Sequence, residues 1–231
     1  TADTELSIGE KIKLPILVYH IVRPSYPDDS DGVRALAQTP EVFDAQMQYL
    51  RDAQYHVISF SDLEKYFQHG NPLPSKPIII SFDDGWINQF IYAFPILKKY
   101  HYTATFFIFT NPIGHHGFMS WGNLAELRDA DMTIASHTLS HPFLTKIPDE
   151  HTLWNEIYRS KKIIESKLGI TVNEFAYPFG LYNATTTALV KKAGYACGRG
   201  DAISGEQSVN RIYKLSALNT PTTLAAFKER F

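Results

Sequence analysis

Pro77-Ile78-Ile79-Ile80-Ser81-Phe82-Asp83-Asp84-Gly85 is the stretch from which the fold is read. Three isoleucines in succession, bounded by Pro77 and by a turn at Gly85, form a short continuous apolar run. Such a run suits a strand covered on both faces, as in a parallel sheet. Outward from it the pattern recurs. Residues 15–19, 56–60, 104–109, 133–136 and 174–177 read as strands, with weaker ones at 195–198 and 211–215. Between them lie helical patterns at 87–100, 121–129, 150–168 and 184–193, and residues 222–230 close the chain as a helix. A further helix starts at Thr39 as cap with Pro40 in its first turn, and Phe43, Met47 and Leu50 share one face of it. Ser61 and Glu64 have capping-box spacing ahead of Leu63 and Phe67. Gly169 and Gly194 stop their helices, and residues 24–32 read as a turn-rich loop. This β-then-α alternation predicts an α/β fold, a parallel sheet of about seven strands with helical crossovers. The pattern alone leaves a closed barrel and an open, doubly wound sheet both in play. In either, the active site lies at the carboxyl ends of the strands.

The chain has 231 residues, 44% of them hydrophobic, and a formal net charge of −2. One domain is expected, with residues 1–13 as an N-terminal extension. The near-neutral balance offers no general attraction to nucleic acid or to an anionic membrane. Cys197 is the single cysteine, so it makes neither an internal disulfide nor a thiolate metal site, and it reads as a small buried side chain. No apolar run of about 18 residues suggests an integral membrane segment. Because the sequence begins at Thr1, a processed or trimmed form is expected.

Two polar clusters follow strands. Asp83 and Asp84 are costly to place together unless a cation neutralises one of them; a solvated Asp-Gly turn is the plain alternative. Ser136-His137-Thr138-Leu139-Ser140-His141 carries two histidines four apart, which face one point if the segment takes a helical turn. Two imidazoles and a carboxylate with an open position make a catalytic metal set, not a closed structural one. An ion there activates water and polarises a carbonyl. The second carboxylate is then placed to take a proton, and a histidine is the usual acid for a leaving group near neutral pH.

These motifs resemble the polysaccharide deacetylase (NodB homology) family, carbohydrate esterase family four, over nearly the whole chain from about Leu14. The family's Thr-Phe-Asp-Asp-Gly motif stands here as Ser81 to Gly85, and its His-(Ser/Thr)-x-x-His motif as His137 to His141. The resemblance implies a distorted (β/α)7-type barrel, Asp83 as catalytic base, and a divalent metal on Asp84, His137 and His141. Zn2+ is preferred for that set, with Co2+, Ni2+ or Fe2+ as the other candidates. Two motifs depart from the family pattern. Arg-x-Pro-(Phe/Tyr) reads Ala176-Tyr177-Pro178-Phe179-Gly180, which keeps the groove wall and the Phe179 N–H as oxyanion donor but lacks the arginine that orients the base. Leu-x-x-His reads Leu215-Ser216-Ala217-Leu218, and no histidine follows His151. One branch of the family, the poly-β-1,6-N-acetylglucosamine deacetylases, carries its acid histidine in an early Tyr-His segment; Tyr19-His20 is similar to it. The segments at 43–50, 95–97, 119–121 and 175–182 also resemble that branch.

The expected activity is therefore removal of N-acetyl groups from an N-acetylglucosamine polysaccharide, poly-β-1,6-N-acetylglucosamine first. Peptidoglycan, chitin oligomers and acetylxylan are the alternatives within the family. Its location is expected to be periplasmic, cell-surface or secreted. Trp86, Asn111, Tyr177 and Pro178 are candidate substrate contacts. His115 and His116 read as part of a polar loop, and Lys161-Lys162 as a solvated helix face. A non-catalytic carbohydrate-binding module is the competing reading from another class, supported by the missing arginine and late histidine. A metal hydrolase for a small amide is a third.

Overall fold

Eight strands hydrogen-bond in parallel into one curled sheet in the computed structural model, which describes residues 11–200 and 205–231. They are β1 (Ile16–Tyr19), β2 (His56–Val57), β3 (Pro77–Asp84), β4 (Thr105–Ile108), β5 (Thr133–Ser136), β6 (Glu174–Ala176), β7 (Cys197–Arg199) and β8 (Leu218–Asn219). Their order is β7-β6-β5-β4-β3-β1-β8, with β2 paired to the first residues of β3. Leu215 makes a parallel bridge to Arg199, and three residues later β8 pairs with β1. One short segment thus touches both edges of the sheet and draws it into the distorted barrel that the family resemblance implies.

Side chains alternate across each strand. Ile16, Val18, Ile79, Phe107, Ala135, Ala176 and Cys197 gather on one face, sealed below by Phe60, Leu63 and Phe67. Leu17, Tyr19, Ile80, Phe82, Phe106, Ile134 and Phe175 lie on the other face, under the crossover helices. The inner rows have a direct consequence for the site. Two residues beyond Val18, Ser81, Ala135 and Cys197 stand His20, Asp83, His137 and Arg199, so period two alone sends all four toward the carboxyl mouth of the barrel.

Thr39 caps the helix Pro40–Asp52 by accepting from the Val42 N–H, as expected. Several expectations are corrected. The strand expected at 56–60 stops at Val57, because Ser59 and Asp62 form the capping box of the helix Phe60–His69; Ser61 and Glu64 do not form it. The strand expected at 211–215 is instead a 3-10 helix, Val209–Lys214, and only Leu215 reaches the sheet. The 24–32 loop runs into a short helix, Asp31–Leu36, capped by Ser30. Lys161 is not on a solvated face: it is buried, and its ammonium donates to the carbonyls of Val172 and Gly194. Both long helices are interrupted by π turns, at Gln89–Ala93 and Asn155–Arg159. Cys197 is buried and unpaired, and burial pushes its thiol well up. Of the expected extension, residues 1–10 lie outside the described residues, while Ile12–Lys13 pair antiparallel with Glu206–Gln207. Among the described residues no helix is long and apolar enough to cross a membrane.

Candidate active site

β3 ends in a backbone that only a tight turn allows. Asp84 sits at φ 78° and Gly85 at φ 83°. A Cβ at Gly85 would come within 3.0 Å of the Ile108 Cγ2, so glycine is required there by both conformation and space. The reversal lets Asp83 continue the inner row while Asp84 swings toward the loop after β5. That loop is not the helical turn expected for His137 to His141. Thr138 and His141 have φ values of 76° and 59°. The His141 N–H donates to the Thr138 Oγ1 at 2.9 Å, and the Glu156 carboxylate accepts the Leu139 and Ser140 N–H groups at 3.1 and 3.0 Å. Glu156 belongs to the second π turn. Asp84, Thr138, His141 and Phe179 all hold positive φ without being glycine, and strain gathered at one place is a mark of a functional site.

One ligand atom each from Asp84, His137 and His141 lie within 4.8 Å of one another. The Asp84 Oδ1 is 3.8 Å from the His137 Nε2 and 3.5 Å from the His141 Nε2. The His137 Nδ1 lies 2.8 Å from the Ala176 carbonyl oxygen. A carbonyl only accepts, so Nδ1 carries the proton and Nε2 presents its lone pair to the cluster. Burial, opposed by the charges of Asp83 and Asp84, pushes the His137 pKa down to about 4 and keeps the ring a neutral ligand. The Trp86 indole N–H donates to the other Asp84 oxygen at 3.0 Å, which orients that carboxylate. Donor set, tautomer and spacing all fit one divalent cation.

Asp83 is 5% exposed. The buried Arg199 guanidinium donates to its Oδ1. Its Oδ2 lies 3.9 Å from both the His20 and His137 Nε2 atoms. Burial alone would raise the Asp83 pKa, but Arg199, His137 and His20 together outweigh it and hold the carboxyl below the ordinary carboxylate value. The result is a desolvated, ionised carboxylate beside a metal-ligand cluster. His20, Asp83, Asp84, His137, His141 and Arg199 open on a cleft of about 360 Å³, with Leu36, Asn219 and Phe179 among its walls.

Residues 70–198 match the family model described as polysaccharide deacetylase. The chain belongs to the polysaccharide deacetylase family. It is 30% identical over 186 residues to YxkH of Bacillus subtilis, a candidate polysaccharide deacetylase, covering 80% of this chain. The chain spans 63% of the length of that relative. It is 29% identical over 212 residues to the poly-β-1,6-N-acetyl-D-glucosamine N-deacetylase of Staphylococcus epidermidis, covering 82% of this chain and 72% of that one. The fold matches the Streptococcus pyogenes deacetylase PplD, solved in complex with acetate, at a TM-score of 0.87 over 96% of this chain and 98% of that chain, with 24% identity.

Against this family frame, the structure brings His20, Asp83, Asp84, His137, His141 and Phe179 to one cleft. The four residues expected to touch substrate do not line it. Trp86 serves Asp84 and stacks on Phe118 at 4.3 Å. Asn111 is exposed, and its N–H donates to Leu139. Tyr177 and Pro178 are buried, the Tyr177 hydroxyl donating to the Tyr213 carbonyl. Phe179 stands at the lip, 48% exposed, stacked on Phe143 at 3.8 Å and edge-on to His141 at 4.6 Å. Sequence reasoning missed Arg199. Its signal was strand parity: a strand ending at 198 stops one residue short of the inward position that follows Cys197. The absent motif arginine is thus replaced from β7, a different strand.

Trp86→Phe keeps the ring stack and removes the N–H. We expect the affinity for zinc, measured by competition with a chromophoric chelator, to fall about tenfold, as for other groups that orient a metal ligand. A change under about twofold would count against this role for Trp86.

Proposed function

We propose that this cleft hydrolyses the acetamide of N-acetylglucosamine units in a polysaccharide, with Zn2+ as the ion held by Asp84, His137 and His141. The observation that carries the reading is the buried, ionised Asp83 beside that cluster, clamped by Arg199 and facing His20 at 3.9 Å. When bound, the ion supplies Lewis acidity, favouring ionisation of water and polarising the acetyl carbonyl. Asp83 takes the proton from the attacking water. The Phe179 N–H donates to the oxygen on which negative charge develops. His20 protonates the departing amine as the C–N bond breaks. One water is consumed, and acetate and a free amino sugar leave. The amine gains a proton at neutral pH, which turns a neutral polymer cationic.

Poly-β-1,6-N-acetylglucosamine is the first substrate proposed. The early position of His20 and the name of the staphylococcal relative support it. Peptidoglycan, chitin oligomers and acetylxylan come after it. A polymer of this kind places the protein at the cell surface, in the periplasm or outside the cell. The binding-module reading drew on a missing arginine and a missing late histidine; Arg199 and His20 stand at the base in their stead.

Acetate release from β-1,6- and β-1,4-linked N-acetylglucosamine oligomers tests the proposal. The β-1,6 series is expected to be preferred. His20→Ala should lower kcat by about 10²-fold, the usual contribution of a positioned acid, with zinc still bound. Equal kcat in His20→Ala would remove His20 from the chemistry. Sugar binding without acetate release from any oligomer would restore the binding-module reading.

A further inference from the structure

The β1–β3 ladder ends at the pair Tyr19 and Phe82. The next residues along these strands are His20 and Asp83. Beyond them the strands part, because Ile21–Val22 leaves the sheet to pair with Ala37–Gln38. Tyr19 and Phe82 are the last pair of that ladder, so the proposed acid and base stand just past its end, where the two strands begin to diverge.

A side chain from the following turn fills that gap. Gln89 is fully buried. Its single amide nitrogen donates one hydrogen to the His20 carbonyl at 2.7 Å and one to the Asp83 carbonyl at 2.5 Å. Both donors are spent on the backbones of the two proton-transfer residues. The amide oxygen is buried with no partner. An amide flipped to satisfy that oxygen elsewhere would turn it onto two carbonyls, so the acceptors fix the orientation. The neighbouring Asn88 accepts the Val22 N–H at 3.0 Å and steadies the departing strand from the same turn. Gln89 opens the π turn, the Phe94 N–H reaching back five residues to its carbonyl. Such turns are rare and recur at functional sites.

We propose that Gln89 is a positioning residue that sets the separation of His20 and Asp83 by tying their main-chain carbonyls together. Its amide donates to the His20 and Asp83 carbonyls and not to Asp84, His137 or His141. The proposal rests on the reading of His20 and Asp83 as acid and base, and the spacing itself is measurable without any substrate.

The test uses Gln89→Met, of similar length but without donors, and Gln89→Glu, of the same shape with one nitrogen replaced by oxygen. Crystal structures of the zinc-loaded variants are compared with the zinc-loaded parent, alongside kcat, KM and zinc affinity. The expected result is a His20–Asp83 separation wider by about 1 Å or more, with kcat lower by about 10²-fold and KM and zinc affinity close to parental values. Either variant suffices if the other does not fold. An unchanged separation, or a melting temperature that falls while kcat is preserved, overturns the proposal and leaves Gln89 a packing residue. If the parent releases no acetate from any oligomer, the deacetylase reading fails, and the crystallographic separation still decides whether Gln89 sets the spacing.

Discussion

Asp83→Asn lowers kcat by about 10³-fold while the protein still binds zinc. The amide keeps the shape of the carboxyl and can still accept from Arg199, so the site is not left with a hole. What it loses is the capacity to accept a proton, a contribution of about 10²–10⁴ in rate when supplied by a positioned base. Asp83 is not one of the three clustered ligands, so zinc affinity should change far less than kcat. The check is single-turnover acetate release beside calorimetric zinc titration of the same preparation. A parallel loss of both would show that Asp83 serves the metal, not the proton.

Arg199→Met is expected to damage stability and activity together, and in a pH-dependent way. Arg199 and Asp83 are 4% and 5% exposed. Removing one partner of a buried ion pair strands the other charge, at a cost of about 3–5 kcal/mol. In the parent protein the Asp83 pKa lies below its unfolded value. Its ionised form therefore contributes stability that is present above the unfolded pKa of about 4 and is lost as the pH falls through the lower folded value. Without Arg199 the burial contribution dominates, and the folded pKa rises above the unfolded one. The stability deficit of the variant is then greatest near neutral pH and narrows as acid protonates the carboxyl. Denaturant melts of metal-free parent and variant from pH 4 to 8 measure this directly. The acid limb of the activity profile should move upward in the same variant. A deficit that is flat across that range would mean that Arg199 acts through packing on Phe107, whose ring centroid is 4.8 Å away, and not through charge.

Much of this arrangement was legible in the chain because it follows from strand periodicity. The isoleucine run announces a strand buried on both faces, and the polar residues two positions past the inward row fall where the barrel opens. Asp83 and His137 are found this way, since each follows a long or well-bounded strand, and Asp84 and His141 are found by their motif spacing from them. Arg199 was hidden because β7 is three residues long and lies in a weakly apolar stretch, where ending the strand one residue early leaves the last inward position out. The candidate substrate contacts stand outside the cleft lining for a different reason. Trp86 and Tyr177 neighbour motif residues in sequence and Asn111 follows a strand end, but Trp86 turns to Asp84 and Phe118, Tyr177 is buried with its hydroxyl on Tyr213, and Asn111 is exposed beside Leu139, so position in the sequence did not carry into the cleft. Gln89 and Glu156 escaped notice because each opens inward from a π turn, and helical periodicity does not announce where an extra residue enters the turn. The 211–215 segment misread as a strand has the right composition but makes its hydrogen bonds locally; only Leu215 finds the sheet.

Deacetylation is expected to depend on one divalent ion held by Asp84, His137 and His141. The most direct measurement strips the protein of metal and titrates Zn2+ back while acetate release from a β-1,6-linked N-acetylglucosamine oligomer is followed. The expected result is no release from the stripped protein, recovery that saturates at one zinc per chain, and neither tight binding nor recovery in His137→Ala. Release that is unaffected by stripping, or recovery that persists in His137→Ala, would contradict it.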